Sequence, residues 1–373
     1  MRDVMGIINV NVKDDILDEL TYSRCIASVP FGGNYRLIDF MLSSMVNSGI
    51  QNVVVLTLHK YRSLMDYLGN GKAWDLNLNR KDEGLSILSP NVFYSLKYFQ
   101  GDIQNFYSNI DFFQRSRQKD VLITRSNMIC NLDITEVVNF HRRTQADITF
   151  LYRENDDLVE ESPWRRKLEI GADGRVLNLE QGTEKVKGKK VLLEIFVMSK
   201  ALLIDLIESC MINGTGDLLH DGIIKNQENL KIFAFPAKGY LGVINSIALY
   251  YKHSLNLLKP ANWQELFFRP GFIYTKAEDE PPTKYMRGAR VTGSLLAGSC
   301  VIEGKVENSV LFRGVQVKRD AYIKDSIILP ESEIEEKAQI EYAILDKEVR
   351  VSRGKVVKGR KDNPSVIPER TII

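Results

Sequence analysis

Short apolar runs separated by amphipathic stretches fill roughly the first 250 residues of the chain. Val4 to Val10, Val53–Thr57, Val121–Thr124, Ile148–Tyr152 and Leu192–Met198 are mostly β-branched or aromatic. They are continuous rather than alternating, the pattern of strands buried on both faces. Between them, Leu37, Phe40, Met41, Ser44 and Met45 recur at helical spacing, with Gly49 placed just past a helix end. Asn105–Phe113 and Ile134–Arg142 carry similar faces. Strands alternating with helices predict an α/β domain, a doubly wound and mostly parallel sheet. In such sheets ligands bind at the carboxyl ends of strands, so the segments that follow strands are where chemistry is expected.

From about residue 290 the pattern changes. Val306, Ile323 and Ile340 are 17 residues apart, as are Val310, Ile327 and Ile344, and Leu311, Ile328 and Leu345. Gly304, Ala321 and Ala338 keep the same interval, and so do Val317, Ile334 and Val351. Aliphatic columns held through three successive turns predict a solenoid, in which each turn buries its row by stacking on the next. The spacing resembles the left-handed parallel β-helix of hexapeptide-repeat proteins, with one corner shortened by a residue. The stretch 267–285, with Pro281 and Pro282, reads as a connector. The expected division is an α/β domain at 1–262, a linker at 263–288 and a β-helix at 289–373.

Composition narrows the possible functions. The 373 residues include 50 basic and 48 acidic side chains, for a net charge of +2. This balance gives no basic field for nucleic acid. Cys25, Cys130, Cys210 and Cys300 are far apart and lack CxxC spacing, so neither a zinc site nor a disulfide framework is indicated. His59, His141, His220 and His253 are equally scattered. The start MRDVMGIINV lacks the pattern of a signal peptide, and no stretch approaches the ~20 apolar residues of a membrane span. A cytoplasmic chain without membrane or nucleic-acid partners is expected.

Two segments carry a family resemblance: VPFGGNYRLIDFMLSSMVNSGI at 29–50 and VENSVLFRG at 306–314. With YLGNGKAWDL (67–76), GTGDLLH (214–220) and AILDKEVRV (343–351), they resemble the glucose-1-phosphate adenylyltransferase family, the ADP-glucose pyrophosphorylases. The resemblance covers essentially the whole chain. It implies a nucleotidyltransferase-like domain followed by the left-handed β-helix, and a reaction joining ATP and glucose 1-phosphate through Mg²⁺.

The departures from that family fall on its chemistry. Its members follow the first strand with a Gly-rich loop, AGGxGxRL, whose bare N–H groups cradle phosphates. Counting back from Gly33, the loop glycines fall on Asn11, Val12 and Asp14, and the arginine on Ile16. Asp14 and Asp15 would repel a triphosphate. A Mg²⁺ ion needs hard anionic oxygens, yet the family's two metal carboxylates fall on Asn127 and Val243. The adenine-reading amide becomes Leu58, and the lysine that holds the sugar phosphate becomes Gly182. Catalytic residues and bound metal are therefore not expected on this chain. Arg24, Arg36, Asp39 and Asp217 remain as substrate or effector contacts that the resemblance implies.

The leading expectation is a non-catalytic, regulatory subunit paired with a catalytic paralogue, which would hold the Mg²⁺, in a tetramer. The alternative is an active sugar-phosphate nucleotidyltransferase with a displaced set built on Asp14, Asp15 and Asp217. An acyltransferase acting from the β-helix would need a histidine there to activate a hydroxyl, and none follows residue 290.

Overall fold

A computed structural model of the chain describes residues 1–10, 14–77, 83–90, 101–154, 166–181 and 190–373. Nine strands form the main sheet: β1 (Val4–Asn9), β2 (Asn52–Leu56), β3 (Gly84–Leu88), β4 (Asp120–Arg125), β5 (Ile148–Glu154), β6 (Arg166–Ile170), β7 (Val176–Gln181), β8 (Lys190–Ser199) and β9 (Ile232–Pro236). Their order is β7–β6–β8–β4–β1–β2–β3, with β5 paired to β8 and β9. The centre, β3–β2–β1–β4, is parallel, and β8 joins it antiparallel along β4.

The continuous apolar runs form this sheet because both faces are covered. Val4, Ile8, Val53 and Val55 cluster with Met41 and Met45 of helix Leu37–Asn47 and Val137 and Val138 of helix Ile134–Thr144. The alternate residues Met5, Ile7, Val54 and Leu56 cluster with Phe106, Phe113, Leu203 and Ile207 on the other side. One expected helix is divided. Asn105–Phe113 becomes Ile103–Ser108 and Ile110–Arg115. At the break, the Asn109 side-chain amide donates to the Asn105 carbonyl at 2.9 Å, a local bond that competes with the helical ladder.

The last quarter of the chain is a parallel β-helix of three five-stranded sheets. The aliphatic columns are its ladders: Val306, Ile323 and Ile340 pair directly, as do Val310, Ile327 and Ile344. The first turn is shorter, since Val291 pairs with Val306, 15 residues on. The last is longer, because Ile344 pairs with Val366. Both irregular turns lie outside the columns read from sequence.

The connector differs from expectation at both ends. Helix Pro260–Phe268 runs through the boundary placed at 262, and its Leu266 and Phe267 are buried. Lys284–Tyr285 already pairs with Val301–Ile302, inside the segment expected to be linker. A single apolar cluster then joins the two parts. Phe31, Phe40, Tyr250 and Phe267 from the first pack with Val310, Ile327 and Ile344 from the β-helix. Arg24 crosses the same boundary in an ion pair with Asp346 at 2.5 Å and Glu369 at 3.2 Å.

Candidate functional site

The carboxyl ends of β1 and β4 lie side by side, because Asn9 is in register with Arg125. Here the Arg125 guanidinium meets two carboxylates, Glu194 of β8 at 2.6 Å and Asp102 at 3.4 Å. Asp102 also accepts hydrogen bonds from the Asn9 amide at 2.9 Å and from the Leu218 N–H at 3.0 Å. Burial works against the Arg125 charge, but Glu194 and Asp102 outweigh it and hold the group above its ordinary pKa. The space enclosed by Asn9, Asp102, Thr124, Arg125, Glu194 and Leu218 is about 10 Å³. That is room for a single water at most. Among the described residues, the chain's own ion pairs fill this spot between β1, β4 and β8.

The structure brings together Asn127 and Val243, the two positions at which the resemblance implied metal carboxylates. Strand Met128–Cys130 pairs antiparallel with Leu241–Val243, which sets Val243 against Met128, next to Asn127. The Ile244 N–H donates to the Asn127 carbonyl at 2.8 Å, and the Asn127 side-chain amide donates to the Ile244 carbonyl at 3.1 Å. Val243 packs against the apolar core. An amide already tied to backbone and a valine do not fit a Mg²⁺ ion, which needs anionic oxygens. Among the described residues, no group of three or more His, Cys, Asp or Glu could hold a metal.

The remaining expected residues separate. Asn11, Val12 and Gly182 lie outside the described residues. The backbone at Asp14 and Ile16 belongs to a short 3₁₀ segment, Asp14–Thr21, whose Leu17 and Leu20 are buried in the interdomain cluster. Asp217 caps the short helix Leu218–Ile223, accepting the His220 N–H at 2.6 Å. Asp39 is fully buried and accepts the Arg36 N–H at 3.0 Å and the Tyr67 hydroxyl at 2.6 Å. Burial pushes its carboxyl up to about 7 against the pull of those two donors. The Arg36 guanidinium lies 3.9 Å over the Tyr67 ring and donates to the Ser63 carbonyl at 3.1 Å. Arg24 is buried in its ion pairs with Asp346 and Glu369.

Arg36, one of the expected substrate or effector contacts, opens onto a second site whose other cations were not singled out in the sequence. A cavity of about 300 Å³ lies between the domains, lined by Arg36, Lys276, Arg313 and Lys347, with Glu278 and Glu280 at its edge. Burial and the charges of Arg24, Arg36 and Arg313 hold the Lys347 ammonium down at about 8, a sign of crowded positive charge. Arg313 and Lys347 sit in two of the motif segments, VENSVLFRG and AILDKEVRV, where the aliphatic register drew attention away from the charges beside it. For Arg125, the signal was a charge closing an otherwise apolar strand.

Comparison with known proteins agrees with both halves of this architecture. The family described as "Nucleotidyl transferase" matches residues 16–160. The family described as "GlmU-like, C-terminal hexapeptide" matches residues 281–363. The glycogen biosynthesis protein GlgD of Bacillus subtilis is 35% identical over 367 residues, 98% of this chain and 96% of the relative. The chain belongs to the GlgD family. The GlgD protein of Geobacillus stearothermophilus is 38% identical over 86% of this chain and 82% of its own length. A glucose-1-phosphate adenylyltransferase of Bacillus cereus is 29% identical over 95% of this chain and 94% of its own length. The fold is a nucleotidyltransferase domain with a mostly parallel sheet, followed by a left-handed β-helix of hexapeptide type. Among the described residues no helix is long and apolar enough to cross a membrane.

Proposed function

We propose that this chain is a regulatory, catalytically silent subunit of glucose-1-phosphate adenylyltransferase in glycogen synthesis, acting in a mixed tetramer with a catalytic paralogue. In that assembly the paralogue holds Mg²⁺ and converts ATP and glucose 1-phosphate to ADP-glucose and pyrophosphate. The observation that carries the reading is the pairing of Asn127 with the Val243 segment where two carboxylates would be needed. The Arg125 ion pairs with Glu194 and Asp102 at the carboxyl ends of β1 and β4 support it independently. The GlgD relatives and the more distant adenylyltransferases support the pathway and the kind of partner.

Regulation needs a site of its own. The interdomain cavity, with Arg36, Arg313 and Lys347 converging on it, fits a phosphorylated anionic effector. It lies against elements of both domains, so a ligand there can alter how they pack.

The test is catalytic. The purified chain, given ATP, glucose 1-phosphate and Mg²⁺, should form no ADP-glucose above background, since each missing electrostatic donor alone costs about 10²–10³ in rate. Turnover within tenfold of a competent adenylyltransferase overturns the reading. Asn127→Asp alone should leave the chain silent, because Val243 still offers no ligand and the loop at 11–16 still lacks the glycines and arginine that would cradle phosphates.

A further inference from the structure

The acids that edge the interdomain cavity come from one short stretch. Lys276 to Pro282 reads Lys-Ala-Glu-Asp-Glu-Pro-Pro and leads from the nucleotidyltransferase domain into the first turn of the β-helix. Both ends of this connector are tied down. On the domain side, the Tyr274 N–H donates to the Ser43 hydroxyl at 2.8 Å, and the Thr275 hydroxyl lies 2.6 Å from that of Tyr67. On the β-helix side, the Ser299 N–H donates to the Pro281 carbonyl at 2.7 Å. The Thr283 hydroxyl donates to the Ala297 carbonyl at 2.6 Å.

Between these anchors the chain turns its carboxylates toward the cavity. Arg313 Nη1 contacts Glu278, and it lies 3.3 Å from Glu280 Oε1. The cavity lining therefore has four cations, Arg36, Lys276, Arg313 and Lys347, against two internal anions. Arg313 is partly exposed, so its ion pairs with the connector are weak enough to exchange.

We propose that the acidic connector is a built-in counter-ion for this cavity, and that an anionic phosphate-bearing effector enters by displacing Glu278 and Glu280 from Arg313. The inference rests on the anionic-effector reading of the same cavity. Displacement releases the segment that joins the two domains, and so couples ligand binding to their packing. A phosphate dianion is suited to this exchange, because it brings more charge than either carboxylate and can bond Arg313 and Lys347 together. No covalent step is involved.

The experiment uses the full chain, with inorganic phosphate and inorganic pyrophosphate as probes, titrated by calorimetry. Glu278→Gln/Glu280→Gln keeps the size of both side chains and removes the competing charge. It should tighten anion binding about tenfold at low salt, with the gain fading as ionic strength rises. Lys347→Met should weaken binding in both backgrounds. In the unaltered chain, phosphate should speed hydrogen exchange of the backbone amides at 277–280. If Lys347→Met abolishes binding but the double Gln variant binds no tighter, the site stands and the counter-ion proposal is overturned. If no form of the chain binds either probe, the effector reading falls and takes the proposal with it. Thermal denaturation of each variant shows whether any loss of binding comes from unfolding.

Discussion

Asp39 and Arg24 show two ways of burying a charge, with different consequences. Arg24 keeps its charge because Asp346 and Glu369 face it across the domain boundary. Replacing it with alanine leaves Asp346 buried and unpaired, at a cost of about 3–5 kcal/mol. Denaturant melts of Arg24→Ala should show that loss, and a change below about 1 kcal/mol would contradict the pairing. Asp39 faces hydrogen-bond donors in place of a paired cation, and burial raises its carboxyl from 3.8 to about 7. A raised folded-state value means that the folded chain holds this proton to higher pH than the unfolded chain does. Its contribution to stability is therefore full below about pH 4 and is lost as pH rises through about 7. Asp39→Asn is neutral throughout. The melting temperature of the variant minus that of the parent should become more positive between pH 5 and pH 8. A flat difference would mean that Asp39 is an ordinary ionised carboxylate.

At the scale of elements, the strands and the solenoid were legible because burial on both faces leaves unbroken apolar runs and a fixed column interval. The corners were not. Asn308, Asp325 and Tyr342 all adopt positive φ 17 residues apart, and so do Gly314, Glu331 and Glu348. The backbone repeats there while the residue type does not, so no letter pattern marks the turn. The Gly304, Ala321 and Ala338 column was read simply as small residues, but its first member is more constrained. A Cβ on Gly304 would collide with the carbonyls of Ala321 and Lys318 in the next turn. Gly304→Ala should cost about 1–3 kcal/mol through overpacking, measured by equilibrium unfolding. A neutral effect would mean that the turn can relax around the methyl. The ends of β4 and β8 make a similar point. Arg125 and Glu194 sit on different strands, and only the antiparallel pairing of β8 with β4 brings them together. Arg125→Met should destabilise the domain by about 2–4 kcal/mol, since it leaves the buried Asp102 carboxylate without this cation.

For the whole molecule, the fold sets the segments of Asn127 and Val243 side by side. The resemblance could not reveal the ion pairs of Arg125 with Glu194 and Asp102, because they join segments far apart in the chain. It also missed how firmly the two domains share one core, since Leu17 and Leu20 look like part of a degenerate loop until they are seen packed beside Phe267 and Ile327. These features fit a chain whose surfaces and domain coupling serve an assembly. The most direct test is the initial rate of ADP-glucose formation by the catalytic paralogue, measured with and without this chain at equal concentration, together with the mass of the species formed. The account predicts a mixed oligomer and a change in rate or effector response equivalent to a coupling of about 1–3 kcal/mol. Separate species with unchanged paralogue kinetics would contradict it.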